Sequence, residues 1–418
     1  MMPRVLDVYL HDRLAGALTD SGMNVYTFEY HANATEAERL SVSLPVDRGR
    51  QFLASETKPF FEGLLPEQRV RADIARQLGI DPADSIGLFA AIGHECAGAV
   101  AVLPSGNNLP GSDKIQWLTH EELIDRVDSL PSFPLGRDES SRSRASLAGA
   151  PRKMVAVVEG GRVGIPQVGP STHLLKPQWL PGPDDPQLHD LVANEAFCMR
   201  LAKNAGLEVA EVEVRQIGSR HVLFVRRFDR VRDGGGKLVR LHQEDAAQAG
   251  GKLPSSKYEQ DGGLSLIEVA DALDRAGIGR RDLGSGLLNA ITIAAATGNA
   301  DQHAKNIGIL YHPQARISPL YDLTSTMVYG VLSRRAAFVV GGELHIDRID
   351  DEACIRAVTE AARMPKRLAR DQVSDLTDAI HGAVELTRQE AVSERWMSPI
   401  VDEISELVLT WPARACGE

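Results

Sequence analysis

Cysteine is scarce in this sequence, and long hydrophobic runs are missing from it. The four cysteines among the 418 residues are Cys96, Cys198, Cys354 and Cys416, and no two of them form a CxxC-type pair. This spacing excludes a zinc ribbon and a dense disulfide framework, so reduced thiols are expected. The longest apolar runs, such as residues 287–296, are too short to span a bilayer, and the N-terminus lacks the apolar core of a signal peptide. We therefore expect a cytoplasmic protein with no membrane partner.

Positive charge is also in deficit. Lys and Arg number 46 against 57 Asp and Glu, which leaves a formal net charge of −11. A protein that binds nucleic acid alone needs a local excess of Lys and Arg, so this balance argues against such a function. It suits a basic protein partner or a metal–nucleotide ligand better. The composition is otherwise ordinary for a globular protein, and the length allows two or three domains.

Two common nucleotide-binding motifs are absent. The sequence contains neither a Walker A motif nor a kinase-type G-x-G-x-x-G. The nearest candidate for a phosphate loop is Ser-Leu-Ala-Gly-Ala-Pro-Arg-Lys at residues 146–153. Its small residues would let backbone N–H groups approach a phosphate, although the signal is weak by itself.

The patterns that are present predict an α+β protein with a β-rich N-terminal half and a helical C-terminal half. Apolar alternation predicts strands within residues 1–45 and over 153–158, 162–165, 172–176, 211–216 and 221–228. Helical periodicity predicts helices over 188–205, 265–276, 285–297, 352–362 and 373–392. In the C-terminal half, β structure is indicated only near 307–322 and 335–345.

Changes in composition suggest three domains. Residues 105–112 have the composition of a linker, and the Ser/Arg-rich stretch 134–147 is typical of a mobile loop. The helical pattern begins after about residue 245. We therefore expect domains over 1–105, 106–245 and 246–418.

The strongest functional signal is the loop Gly-Asn-Ala-Asp-Gln-His-Ala-Lys-Asn at residues 298–306. It follows an apolar helix and precedes a predicted hairpin that ends at Asp322. Phosphoryl transfer by a kinase uses groups in this order: an Asp that accepts the proton of the attacking hydroxyl, an Asn five residues later that binds Mg²⁺, and a second Asp that binds Mg²⁺ at the phosphates. Here these residues are Asp301, Asn306 and Asp322, and Lys305 is placed to stabilise charge on the transferred group.

Other interpretations of this loop stay open. Asp and Asn are common in turns, and a lone D-x-x-x-x-N arises often by chance. His303 by itself is more often a packed loop residue than a ligand. A metal phosphohydrolase that uses Asp301, His303 and Asp322 as ligands is a rival, but the further His and carboxylate ligands that such a site needs are not found in the sequence.

Two more residues complete the pattern expected of a kinase. Lys176 ends the predicted strand 172–176, and Glu195 lies nineteen residues later in a predicted helix. Such a pair forms the ion pair that sets the Lys against the phosphates. The apolar strand that leads into residues 226–229 lies where an adenine-binding hinge would fall.

Taken together, several motifs of this chain resemble those of the HipA family of bacterial serine/threonine kinase toxins. The matching segments cover nearly the whole chain: 60–67, 146–153, 172–176, 194–195, 226–230, 242–245, 254–263, 299–306 and 320–323. The resemblance implies a two-lobed protein-kinase-like fold with an additional N-terminal subdomain and an all-helical C-terminal lobe. It also implies a non-specific serine/threonine protein kinase that uses ATP and Mg²⁺.

The resemblance also assigns roles residue by residue. Asp301 would be the catalytic base, Asn306 and Asp322 would hold Mg²⁺, and Glu195 would support Lys176. The residues implied to bind ATP are Ala148, Gly149, Ala150, Pro151, Arg152, Lys153, Lys176, Arg226, Arg227, Phe228, His303, Ala304, Lys305, Asn306, Tyr321 and Asp322.

Regulation and partners are implied in the same way. Ser146 matches the autophosphorylated serine of the family, whose modification expels the phosphate loop and switches the kinase off. The family's targets are aminoacyl-tRNA synthetases, with glutamyl-tRNA synthetase the best known, and their phosphorylation inhibits translation and causes growth arrest and persistence. The usual partner is HipB, a helix-turn-helix antitoxin dimer that supplies most of the affinity for operator DNA.

The chain departs from the family pattern at two positions. Pro151 and Arg152 stand where Gln-Glu is common, and proline lacks an N–H that could bind phosphate. Arg226 stands where an acidic residue is common. Both changes concern the details of ATP binding.

Two alternatives to an active toxin kinase remain: an ATP-binding co-repressor scaffold with little kinase activity, and a small-molecule kinase.

Overall fold

The computed structural model describes residues 4–22, 24–107, 109, 113–130, 132–135, 153–179 and 188–416. The chain divides into two compact units, each made of more than one stretch of sequence. The first unit holds Met1–Lys176, Arg226–Pro254 and Leu310–Pro313. The second unit holds Pro177–Val225, Ser255–Ile309 and Gln314–Glu418. The three domains expected from the sequence stay a prediction.

The first unit begins with a five-stranded antiparallel sheet. Its strands lie in the order β4-β3-β2-β1-β5. They are β1 Arg4–Leu10, β2 Arg13–Asp20, β3 Tyr26–Tyr30, β4 Gln51–Phe52 and β5 Val100–Pro104. Between β4 and β5 the chain forms three helices, α1 Ala54–Glu62, α2 Gln68–Leu78 and α3 Ser85–Ile92.

Aromatic side chains form the core of this sheet. In β3 every second residue is buried, because successive side chains of a strand point to opposite faces. Phe28 thereby meets Tyr30, Phe52 and Phe61, with ring centroids 4.8 to 6.3 Å apart. Phe89 of α3 extends the cluster from the other side of Phe61. The alternation predicted for residues 1–45 is confirmed.

A second group of antiparallel strands completes the first unit. In this unit β6 pairs with β8, and β7 pairs with both β8 and β9. The bounds are β6 Lys114–Trp117, α4 His120–Ser129, β7 Met154–Glu159, β8 Arg162–Val168 and β9 His173–Pro177. The later elements are β12 Arg230–Arg232, β13 Leu238–Arg240, β14 His242–Asp245 and α6 Ala246–Ala249. The strands predicted over 153–176 are confirmed.

The second unit is mainly helical. It contains a hairpin of β10 Val212–Ile217 and β11 Arg220–Arg226, whose last residue lies at the unit boundary. Its helices are α5 Leu191–Asn204, α7 Leu266–Arg275, α8 Arg280–Thr297, α9 Asp351–Ala361, α10 Lys366–Ser393, α11 Pro399–Thr410 and α12 Ala413–Cys416. Four short strands lie between α8 and α9 in the chain: β15 Gly308–Tyr311, β16 Ala315–Ile317, β17 Arg335–Val340 and β18 Glu343–His345. The last two residues of β15 belong to the first unit.

Helix α8 is buried over most of its circumference, and α10 packs against α5, α8 and α9 through one apolar stripe. A helix that is apolar all round lies in the interior, so α8 forms the centre of this unit. The predicted helical C-terminal part is confirmed, with its short strands where β structure was indicated. No helix in the described ranges is both long and apolar enough to cross a membrane.

Candidate active site

The loop that carries Asp301 begins at a glycine that ends α8. Gly298 has a φ of +69°, a left-handed conformation that costs glycine little and other residues more. The N–H of the next residue, Asn299, donates a hydrogen bond to the Ala294 carbonyl at 2.8 Å. The Gly298 carbonyl in turn accepts the N–H groups of Thr326 and Met327, each at 3.0 Å. The end of α8 is thereby tied to the segment that follows Asp322 in the chain.

Asp301 presents its carboxylate to solvent from a loop whose other residues are buried. Its side chain is 48% exposed. The Asp301 N–H donates to Asn299 Oδ1 at 3.0 Å, and the Asp301 carbonyl accepts from Asn306 Nδ2 at 3.1 Å. The loop therefore closes on itself, and it brings together the two residues that the D-x-x-x-x-N spacing singled out. The hydroxyl of Tyr258 donates to Asp301 Oδ1.

His303 lies near this carboxylate and is almost fully buried. Its Nε2 is 4.0 Å from Asp301 Oδ1. Burial lowers the pKa of His303 because it penalises the charged imidazolium, although the charges of Asp301 and Asp322 oppose this shift. His303 is therefore neutral at pH 7. The carboxylates of Asp301 and Asp322 both lie close enough for their negative charges to influence the pKa of His303.

Asn306 and Asp322 are the two predicted metal ligands. Asn306 donates through its amide nitrogen to the loop backbone, which orients its amide oxygen as the atom that can bind a cation. Asp322 has a φ of +58°, which is uncommon for a residue with a side chain and is frequent at functional sites. The preceding residue, Tyr321, donates its hydroxyl to the Lys305 carbonyl at 2.6 Å. The second segment is thus bonded directly to the loop.

These donors have the chemistry of a magnesium site. A carboxylate and an amide oxygen are hard ligands, and Mg²⁺ is commonly held by one or two carboxylates together with water and phosphate oxygens. The same loop contains three buried polar atoms without a partner among the described residues: Asn299 Nδ2, Gln302 Oε1 and His303 Nδ1. Such atoms are expected where water or a ligand supplies the missing bonds.

The rival phosphohydrolase site finds no support. Within the described part of the chain, no three or more His, Cys, Asp or Glu side chains are grouped so that they could hold a metal ion. The metal-binding roles of Asn306 and Asp322 stay a prediction.

The remaining predicted ATP-binding residues belong mostly to the first unit. Residues 146–152, with the autophosphorylation candidate Ser146 and most of the predicted phosphate loop, lie outside the described residues. Lys153 directly precedes β7, and Lys176 lies in β9. Glu195 lies in α5 of the second unit and is buried, and its ion pair with Lys176 stays a prediction.

Arg227, part of the predicted hinge, has a side chain with a structural role. It forms ion pairs with Glu95 at 3.0 Å and with Asp229 at 2.9 Å, and Arg230 joins the same two carboxylates. All four side chains are buried. Burial opposes ionisation, but Arg227 and Arg230 hold the pKa of Asp229 well below its usual range. The Arg227 N–H donates to the Thr172 carbonyl at 3.0 Å, so this N–H already has a partner within the first unit.

Two family models match the chain. The model described as HipA-like C-terminal domain matches residues 145–384, which is more than half of the chain, and the model described as HipA N-terminal domain matches residues 6–103.

The chain belongs to the HipA family.

Relatives with assigned names agree with this membership. A protein of Sinorhizobium fredii (strain NBRC 101917 / NGR234) named putative kinase Y4mE is 35% identical over 395 residues, which are 92% of each chain. The serine/threonine-protein kinase toxin HipA of Shewanella oneidensis is 29% identical over 356 residues, which are 81% of this chain and 79% of the relative. The predicted membership of the HipA kinase family is confirmed.

The HipA fold is found in a solved structure as well. The matching chain comes from the complex of HipA, HipB and operator DNA of Shewanella oneidensis MR-1. It has a TM-score of 0.76 and 26% sequence identity, and the match covers 98% of this chain and 96% of that chain. The predicted kinase-like α+β fold is confirmed by this likeness.

Two residues of this HipA-family site were not among the predicted site residues. Asn194 precedes Glu195 in α5 and binds the backbone of Ser325, three residues after Asp322. Tyr258 binds Asp301. Both residues lie in segments that carry the family resemblance, at 194–195 and 254–263. The family resemblance of these segments could have pointed to both residues. A motif does not show, however, which residues its side chains contact in the folded chain.

Proposed function

We propose that this chain is a Mg²⁺- and ATP-dependent serine/threonine protein kinase that acts as the toxin of a toxin–antitoxin module. The observation that carries the proposal is the closed loop from Asp301 to Asn306, with an exposed carboxylate at one end and an oriented amide at the other. The Tyr321–Lys305 bond, which attaches the segment of Asp322 to the same loop, supports it further.

In this proposal four residues of the loop, together with Asp322, have defined tasks. Asp301 accepts the proton of the substrate hydroxyl. The oxygen of that hydroxyl forms a bond to the γ-phosphorus of ATP, while the bond from the γ-phosphorus to the leaving ADP breaks. Asn306 and Asp322 would hold Mg²⁺, which would supply positive charge that stabilises the phosphate oxygens. Lys305 adds a further positive charge for the transferred group. His303, neutral at pH 7, contributes hydrogen bonding without charge.

The residues proposed to bind ATP are those that the family resemblance assigns. Residues 148–153 are proposed as the phosphate loop, with Lys176 against the phosphates and Glu195 supporting it. The backbone of 226–228 is proposed to meet adenine, although the Arg227 N–H is already occupied, so the contacts there would come from the neighbouring groups. Residues 303–306 and Tyr321–Asp322 would line the phosphate side.

The substrates follow from the family. We propose an aminoacyl-tRNA synthetase, such as glutamyl-tRNA synthetase, as the protein target, and Ser146 as the site of self-inactivation. Phosphorylation would add about two negative charges to a segment that contains Arg142, Arg144 and Arg152. Modification of the target would inhibit translation and arrest growth, a state related to persistence.

A HipB-like helix-turn-helix dimer is the proposed partner. The solved HipA of Shewanella oneidensis lies in a complex with HipB and operator DNA. The net charge of −11 fits a division of labour in which the antitoxin makes most of the contacts to DNA.

The test is phosphate incorporation by the purified chain. The protein is treated with a phosphatase, which is then removed, and incubated with Mg-ATP before intact-mass measurement and phosphosite mapping. Asp301→Asn keeps an oxygen that can accept the Tyr258 hydrogen bond, so its fold should be retained while the rate falls about 100-fold or more. Asp371→Asn, which changes an exposed aspartate of α10, is the matched control and should retain the wild-type rate.

Incorporation at Ser146 by the wild-type chain and not by Asp301→Asn would support the kinase and its self-inactivation. Equal incorporation by both would contradict the role of Asp301. A chain that binds ATP and transfers no phosphate would fit a co-repressor scaffold, and phosphate that reaches metabolites but no protein would fit a small-molecule kinase.

A further inference from the structure

A tyrosine from outside the catalytic loop contacts the proposed base. Tyr258 lies 43 residues before Asp301 in the chain and directly precedes a short helical turn, Glu259–Asp261. Its hydroxyl donates to Asp301 Oδ1, and its ring meets the His303 imidazole edge-on, with centroids 6.4 Å apart. Burial and the charge of Asp301 raise the pKa of Tyr258, so the phenol keeps its proton.

The backbone around Tyr258 is fixed at several points. The Tyr258 carbonyl accepts the N–H groups of Asp261 and Gly263, both at 2.9 Å. The Glu259 carboxylate accepts the Val339 N–H from β17 at 2.7 Å. The backbone that carries the ring cannot move away from Asp301 without the loss of several hydrogen bonds. The contact therefore has the properties of a support, not of a mobile gate.

The carboxylate of Asp301 needs such a support. Its side chain is about half exposed, and the last torsion of an aspartate rotates over a broad range when nothing holds it. A general base acts only when its oxygen is within hydrogen-bond reach of the proton that it removes. A donor on one oxygen determines the orientation of the other.

We propose that Tyr258 is a positioning residue for phosphoryl transfer. Its hydroxyl holds Oδ1 of Asp301, so that the second carboxylate oxygen faces the hydroxyl of the protein substrate. This inference rests on the proposed role of Asp301 as the base. The proton of the substrate passes to the second oxygen, and Tyr258 keeps its own proton throughout.

The test compares Tyr258→Phe with the wild-type chain. This substitution removes the hydroxyl and leaves the ring against His303. The rate of label incorporation from [γ-³²P]ATP into the dephosphorylated chain, at saturating Mg-ATP, should fall about 10-fold, as expected for one hydrogen bond to a partly exposed charge. The ATP concentration for half-maximal rate, the Kd of Mg-ATP by calorimetry and the melting temperature should stay unchanged. Tyr9→Phe, which loses a hydroxyl bonded to the Asn107 carbonyl at 3.2 Å, is the control and should keep the wild-type rate.

An unchanged rate in Tyr258→Phe would overturn the inference. A faster rate would also overturn it, because it would show that the hydroxyl competes with the substrate. A fall in rate with an equal loss of ATP affinity or of melting temperature would show a general structural role instead. Absence of incorporation by the wild-type chain, or equal rates for wild type and Asp301→Asn, would contradict the proposed kinase function itself.

Discussion

Asn194 and Ser325 bind each other through both groups of the Asn194 amide. Asn194 Nδ2 donates to the Ser325 carbonyl at 2.8 Å, and the Ser325 N–H donates to Asn194 Oδ1 at 2.7 Å. Both residues are fully buried, and 131 positions of sequence separate them. The paired bonds attach α5, the helix of Glu195, to the segment that follows Asp322. Two of the proposed functional regions are thus held together by one side chain.

We expect Asn194→Ala to impair both stability and phosphate transfer. The substitution leaves a buried N–H and a buried carbonyl of Ser325 without partners, which should lower the free energy of unfolding by about 2–4 kcal/mol. Release of the segment after Asp322 should slow label incorporation about 10-fold or more in the molecules that stay folded. Urea denaturation and the incorporation assay measure the two effects.

Asn204→Ala is the matched control for Asn194→Ala. Asn204 lies on the same helix, and its amide bonds the Thr387 hydroxyl at 3.0 Å. We expect a loss of at most about 1 kcal/mol and a wild-type rate for this variant. If both alanine variants behaved alike, the link between α5 and the Asp322 segment would have no special role.

The glycine that ends α8 should tolerate substitution less well than a comparable glycine elsewhere. Gly298 and Gly79 end helices with nearly the same φ, +69° and +68°. A Cβ at Gly298 would lie 2.8 Å from Met327 Cβ, whereas a Cβ at Gly79 would meet nothing within 4 Å. We expect Gly79→Ala to cost about 1 kcal/mol for the backbone conformation alone. Gly298→Ala should cost roughly 2 kcal/mol more and slow phosphate transfer, because it displaces the start of the catalytic loop.

Thermal or urea unfolding of the two alanine variants gives the comparison. Equal losses of stability in the two variants would show that Met327 can move away from the added Cβ without a loss of stability. A Gly298→Ala chain with the wild-type rate of label incorporation would show that the loop geometry does not depend on this turn.

A buried glutamate of the first unit should make stability depend on pH. Burial raises the pKa of Glu244 to about 7, although hydrogen bonds from Ser41, Tyr311 and the Val42 N–H oppose this shift. The folded chain therefore holds the Glu244 proton more tightly than the unfolded chain, in which the pKa is near 4.5. The resulting stabilisation is complete below pH 4.5 and is lost as the pH rises through 7. It amounts to at most roughly 3 kcal/mol.

Glu244→Gln should remove this part of the pH dependence. Denaturation at pH 5, 6, 7 and 8 measures the slope, which should be smaller than in the wild-type chain. Glu159→Gln serves as the control, since Glu159 is about half exposed in a surface pair with Arg232 and its loss should leave the slope unchanged. A wild-type slope in Glu244→Gln would show that other groups cause the pH dependence.

Several elements were predictable because their signals are local. Strands β7 to β9 and helices α5, α7, α8 and α9 lie close to their predicted positions, since each carries its own apolar periodicity. Helix α10 begins at Lys366, seven residues before the predicted start at 373, because its first two turns are mostly polar. Helices α4 and α11 were not predicted. Thr119 with Glu122 and Ser398 with Pro399 were the available start signals.

In the candidate site, too, some features follow from the local sequence and others depend on tertiary packing. The sequence by itself determined the helix, the Asp301–Asn306 loop and the approach to Asp322, because short spacings and a helix-ending glycine specify them. Only the tertiary structure decided that Tyr258 meets Asp301, that Asn194 binds Ser325 and that Arg227 joins Glu95 across 132 positions. Each of these contacts depends on how separate elements pack, and the packing is set by buried surface and hydrogen-bond partners from the whole unit. A single sequence contains no local pattern that predicts which distant residues contact each other.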